Sequence, residues 1–209
     1  MHIYAFGSIC RGDVSLSSDV DLLALVEQFE PRFDQESYST YSYQRIEDLW
    51  RMGNPFAWHL SIESKLIYSS DSRDFLSSLG HPERYSNWPN DSEKFIELFQ
   101  DAANSAATSS TSRVFDLATV FLSIRNLATC YSLLEGRKPN FSRNSALCLG
   151  DESIQISGTA YRILERARIL CTRGYGRPIA HLEIIETVAC FDEIHEWMKY
   201  LVERSAENA

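Results

Sequence analysis

The sequence predicts an α+β fold in two parts, residues 1–85 of mixed strand and helix followed by residues 86–209 folded as an all-α helical bundle. Three observations carry that expectation. Short apolar or alternating runs of strand length occur only in the first part. A segment rich in turn formers with two prolines, residues 81–91, follows it and reads as the linker. Beyond the linker, apolar residues recur at helical spacing over long stretches.

In chain order, residues 3–6 are a short strand candidate. Residues 20–26 (Val20-Asp21-Leu22-Leu23-Ala24-Leu25-Val26) form an apolar run interrupted by one Asp, the pattern of a buried strand. Residues 38–43 intersperse aromatic and hydroxyl side chains, a third strand signal. Residues 45–52 place Ile46, Leu49 and Trp50 on one helical face, stopped by Gly53-Asn54-Pro55. Residues 56–68 read as extended, and residues 71–79 suit a short helix ended by Gly80.

In the second part, Asn90 and Glu93 resemble a capping box opening the first helix. Val114, Leu117, Ala118, Phe121, Ile124, Ala128 and Tyr131 make one apolar face. Tyr161, Leu164, Ala167, Leu170 and Cys171 make a second. Leu182, Ile185, Val188, Phe191, Ile194, Met198 and Leu201 make a third. Short breaks between them predict an antiparallel bundle of about four helices.

The chain has 209 residues, enough for two small domains with real cores, and 44% hydrophobic with 23% charged residues is a globular composition. No apolar run is read as reaching the roughly 18 residues that span a bilayer, so no membrane association is expected. Met1-His2-Ile3-Tyr4 carries neither a basic n-region nor a cleavage site, so no signal peptide is expected. Cys10, Cys130, Cys148, Cys171 and Cys190 are odd in number and widely spaced, which fits reduced cytoplasmic thiols better than zinc ligands or disulfides. The net charge of −9 and the lack of a basic stripe argue against nucleic acid as a partner. They do not exclude a nucleotide, whose phosphates a metal can carry.

The segment that carries chemistry is Phe6-Gly7-Ser8-Ile9-Cys10-Arg11-Gly12-Asp13, followed by Ser18-Asp19-Val20-Asp21-Leu22-Leu23. Gly7 removes a side chain where backbone approaches a phosphate. Ser8 offers a hydroxyl and a turn N–H to phosphate oxygens. Arg11 and Ser18 flank the same segment. On a strand, residues i and i+2 point to one side, so Asp19 and Asp21 converge while Val20 and Leu22 face a core. Two such carboxylates repel unless cations lie between them, and hard oxygen ligands suit Mg²⁺ shared with substrate phosphates. Two metals held this way clamp the attacking and leaving oxygens of an in-line displacement. Gly-Ser alone and Asp-x-Asp alone are common. Their combination with an Asp inside an apolar strand is what carries weight.

At these residues the chain resembles the DNA polymerase β nucleotidyltransferase superfamily, and within it the minimal nucleotidyltransferase (MNT) type and its aminoglycoside-modifying relatives. The resemblance implies an N-terminal domain with a short mixed sheet. It also implies transfer of a nucleoside monophosphate, AMP from ATP or another NTP, to a hydroxyl of a protein or small-molecule acceptor. Gly7 and Ser8 would then hold the triphosphate, and Asp19 and Asp21 two Mg²⁺ ions. A homo-oligomer is compatible with this reading.

The chain departs from the family at the third carboxylate, which the next strand supplies in such enzymes. Residues 38–43 contain no acid, and Glu36 lies just before them. The following extended segment, residues 58–63, puts His59, Ser61 and Glu63 on one face. In one reading Glu63 or His59 replaces the missing acid as ligand or general base. In the other, Glu63 lies in solvent at a strand end and His59 is a half-buried histidine. The site then has two carboxylates, and the alternative function is a weakened module that binds nucleotide or a protein partner. The chain also opens directly on its first strand, where family members have a preceding helix.

In the helical part, Arg125-Asn126-Leu127-Ala128-Thr129-Cys130 carries the first half of the Arg-Asn-x-x-x-His ribonuclease motif of HEPN bundles, with Cys130 at the histidine position. A thiol does not replace imidazole as acid or base near neutral pH, so no ribonuclease activity is expected. The basic loop 137–144 reads as a solvated connection or a phosphate contact.

Overall fold

A computed structural model describes residues 1–13, 20–28, 31, 33–34, 37–108 and 111–207. Ser18, Asp19 and Glu36 lie outside the described residues. The chain divides into two compact units, Met1–Ser86 and Asn87–Ala209.

The first unit runs β1 (His2–Phe6), α1 (Ser8–Arg11), β2 (Asp21–Val26), β3 (Tyr38–Ser42), α2 (Tyr43–Arg51), α3 (Pro55–Glu63), β4 (Ser64–Ser69) and α4 (Phe75–Ser78). The strands form one mixed sheet in the order β3-β2-β1-β4. β1 lies antiparallel to β2, with Phe6 opposite Asp21, and antiparallel to β4, with Phe6 opposite Ser64. β3 runs parallel to β2. Tyr4, Phe6, Leu23 and Leu25 pack against Ile46, Leu49, Trp50, Ala57, Leu60 and Leu76 from the helices. Ala24, Val26 and Phe33 make a smaller cluster with Met1, Ile3 and Tyr38.

This packing reverses one expectation. Asp21 alternates with Leu23 and Leu25, the residues of the main core, whereas Val20 is 51% exposed and Leu22 half-buried. Asp21 therefore stands at the rim of the principal core face, where the apolar layer ends.

The extended reading of residues 56–68 is corrected too. Residues 55–63 are helical, and only 64–69 form a strand. The helix is set by Asn54, whose side chain accepts from the Phe56 N–H at 2.9 Å, and by Pro55 at the first helical position. Gly53, at φ +61°, permits the turn before it. A Cβ there would lie 2.4 Å from the Glu83 carbonyl oxygen. The Trp58 indole N–H donates to that carbonyl, Glu83 N–H to Trp50 O, and the Trp50 indole N–H to Gly80 O. The first half of the expected linker is thus fastened onto the first unit.

The second unit comprises α5 (Trp88–Thr108), α6 (Arg113–Leu134), α7 (Gly158–Arg173), α8 (His181–Val188) and α9 (Phe191–Glu207), with short 3-10 turns at Ser145–Leu147 and Gly150–Glu152. α5 begins two residues before Asn90, because Pro89 lacks only an N–H that a first turn leaves unpaired anyway. The capping box expected at Asn90 is therefore not formed, and its side chain donates instead to Asn87 Oδ1. α6 is not apolar on one face alone but buried nearly all round, as the central helix. Its length and mean hydropathy of 1.4 would suffice to cross a membrane, and 72% of that stretch is buried inside the protein. The third apolar face is split between α8 and α9, leaving Leu182 and Ile185 exposed.

Candidate active site

The sheet register brings three chain segments to one end of β1. Phe6 is paired on one side with Asp21 and on the other with Ser64, so Gly7, the head of β2 and the end of α3 meet there. Gly7 has φ 76° and ψ −141°, a backbone state that a β-carbon disfavours. It leads directly into α1, which ends at Gly12 in the left-handed conformation. The Asp21 carboxylate closes over Gly7, since a Cβ at that glycine would lie 2.7 Å from Asp21 Oδ2. The glycine thus makes the space in which a carboxylate oxygen meets the turn. Hard oxygen donors beside an open backbone turn fit a divalent cation. Among the described residues, no three His, Cys, Asp or Glu side chains gather as a metal site, and Asp19 is not one of those residues.

α3 supplies the remaining polar groups. Its last residue, Glu63, is 8% exposed, and its carbonyl accepts the Gly7 N–H at 3.1 Å. Its Oε2 accepts from Arg11 Nη1 and from His59 Nε2, the latter at 2.9 Å. Because the acceptor is a carboxylate, His59 Nε2 carries the proton in this bond. Arg11 Nε also donates to Asp13 Oδ2 at 2.9 Å. The His59 ring meets Phe6 edge-on, with centroids 5.6 Å apart.

Of the residues singled out in the sequence, Gly7, Ser8, Arg11, Asp21, His59 and Glu63 come together around this turn. Ser18 and Asp19 lie outside the described residues. His59 and Glu63 share a face by the helical i, i+4 relation and not by strand alternation, which removes Ser61 from that face. The Arg11–Glu63 pair was not foreseen. Asn54-Pro55 announces a helix and so signals that His59 and Glu63 lie one turn apart, but it says nothing of Arg11. Cys10 lies in α1 beside the turn. Burial pushes its thiol pKa up, Glu63 adds to this while Lys65 and Arg11 oppose it, and its Sγ–H donates to Ala5 O.

Residues 2–79 match the family model described as nucleotidyltransferase domain. The first unit carries a nucleotidyltransferase domain. Its mixed sheet followed by helices fits the polymerase β-like fold with a helical C-terminal part. The match stops short of the second unit. Among curated proteins there is no significant match to the sequence. Within the nucleotidyltransferase domain, the Gly7 turn and Asp21 are the described parts of the Gly-Ser and Asp-x-Asp motifs.

In the second unit, Arg125 is turned to its own chain. Its Nη2 and Nε donate to the carbonyls of Phe141 and Ser142, and the Ser145 hydroxyl donates to the Arg125 carbonyl. Arg125 thereby ties the loop after α6 to that helix.

Proposed function

We propose that this protein transfers a nucleoside monophosphate, AMP from ATP, to a hydroxyl on a protein or small-molecule acceptor. The observation that carries the reading is the Asp21 carboxylate closing over Gly7 at the end of β1. The acceptor oxygen bonds to the α-phosphorus while the bond to the β-phosphate oxygen breaks. Pyrophosphate leaves, and the acceptor proton passes to a base. Asp19 and Asp21 would hold two Mg²⁺ ions, which supply positive charge against the triphosphate and the developing oxyanions. Gly7 lets the backbone approach the phosphates, Ser8 and Ser18 offer hydroxyls, and Arg11 offers a guanidinium fork. His59 and Glu63 complete the site.

The test is calorimetric titration of each NTP with Mg²⁺ into wild type and Asp19→Asn/Asp21→Asn. Binding that the double variant loses supports the reading; equal binding in both proteins, or none in either, overturns it. A second reading, a nucleotide-binding module with weakened catalysis, is favoured by one observation: β3 carries no acid and the Glu63 carboxylate is already engaged by Arg11 and His59. Saturable NTP binding without pyrophosphate release, across protein and aminoglycoside acceptors, would select it.

A further inference from the structure

Glu63 grips the Gly7–Gly12 turn at two points. Its main-chain carbonyl accepts the N–H of Gly7, which opens the turn, and its Oε2 accepts from Arg11, the last residue of α1. His59 donates to the same oxygen from one helical turn back. The carboxylate is 8% exposed and the Arg11 side chain 20%. A buried carboxylate that carries a guanidinium and an imidazole N–H is charge-compensated where it stands. Turning it toward a cation would take from a largely buried guanidinium the more buried of its two anions, the exposed Asp13 alone remaining, and breaking such a pair is costly.

A guanidinium has five donors in one plane. Asp13 takes the Nε donor and Glu63 an Nη1 donor, which fixes that plane beside the turn. A fixed plane is what forked recognition of phosphate oxygens requires.

We infer that Glu63 is a positioning residue and not the missing third metal ligand: it braces the Gly7–Gly12 turn and aims Arg11 at the triphosphate. The inference rests on the nucleotidyl-transfer reading for what the turn holds. His59 locks the brace by sharing Oε2 and packing its ring on Phe6.

The test uses the full chain as wild type, Glu63→Gln, Arg11→Ala, their double variant and Asp21→Asn. Affinity for the tightest of the four NTPs is read by calorimetry, and half-saturation by Mn²⁺ at fixed NTP by its paramagnetic signal. Glu63→Gln keeps the shape and one acceptor oxygen but removes the charge, so it is the variant expected to fold. The expected result is that Glu63→Gln and Arg11→Ala each weaken NTP affinity about tenfold, the scale of one charge-assisted hydrogen bond, and that the double variant is no weaker than either. Mn²⁺ half-saturation in Glu63→Gln stays within about twofold of wild type, while Asp21→Asn raises it well beyond that. A Glu63→Gln protein that needs as much more Mn²⁺ as Asp21→Asn, with losses that add to those of Arg11→Ala, overturns the inference and makes Glu63 a ligand. Hydrogen exchange of the 7–12 amides needs no nucleotide: faster exchange in Glu63→Gln supports the brace, and unchanged exchange overturns it. If wild type binds no NTP, the transfer reading fails and the exchange result alone decides the brace.

Discussion

The Gly7 N–H donates to the Glu63 carbonyl at 3.1 Å, joining the first turn of the chain to the last residue of a helix more than fifty positions later. Through that bond the end of β1, α1 and the α3–β4 junction form one polar corner, with Asp21 closing it from β2.

Gly7→Ala tests the corner directly. The new methyl would sit 2.7 Å from Asp21 Oδ2 on a backbone at φ 76°. Strain of this kind costs on the order of 1–3 kcal/mol. Urea unfolding should show that loss, and NTP titration should show binding abolished. A variant with unchanged stability and affinity would mean that Asp21 does not close on the turn.

Gly53→Ala addresses the fastening of residues 80–84. Its methyl would meet main-chain atoms, with Glu83 O at 2.4 Å, and backbone cannot yield as a side-chain tip can. The expected loss is about 1–3 kcal/mol, measured by chemical unfolding, with earlier proteolytic cleavage in the 80–86 segment. Protection from protease equal to wild type would contradict the fastening.

Asp74 predicts a pH dependence. Burial pushes its pKa up, but hydrogen bonds from the Ser77 hydroxyl and N–H and from the Tyr4 hydroxyl, with His2 nearby, pull it below the ordinary carboxylate value. A pKa lowered on folding stabilises the native state above the unfolded value, about 3.9, and that contribution is lost as pH falls through the lower folded value. Asp74 also caps α4. Asp74→Ala should therefore cost about 1 kcal/mol at pH 7, and clearly less at pH 2.5, in urea titrations at both pH values. A cost that grows on acidification would refute the sign.

Arg125→Ala should destabilise the second unit by about 1.5–3 kcal/mol, the scale of hydrogen bonds made by a charged group, because the carbonyls of Phe141 and Ser142 lose their donor. Thermal unfolding of both proteins checks this. The same pair tests the expectation drawn from Cys130: wild type should not cleave RNA. Metal-independent cleavage that Arg125→Ala abolishes would overturn it.

Much of this protein can be read from local sequence. Gly7-Ser8 and the Asp21 that heads an apolar run stood out locally, because a glycine at a strand end and a carboxylate in an apolar strand are both unusual, and these two residues meet at the corner. The change from short apolar runs to long helical periodicity announced the change from sheet to bundle. The strand β3 was legible because Tyr38, Thr40 and Tyr41 are strand-favouring residue types in a stretch without Gly or Pro.

Other features were decided only by tertiary structure. The extended reading of residues 56–68 failed over 56–63 for a local reason, the Asn54-Pro55 cap that opens a helix where a short apolar run alone serves strand and helix equally. That His59 and Glu63 then meet Arg11 could not be read from spacing, because the contact joins residues 52 positions apart and depends on β4 pairing with β1. The face Asp21 shares with Leu23 and Leu25 likewise depends on which side of the sheet the helices cover. Alternation fixes which residues lie together on a strand, but only packing fixes which of the two faces is the core.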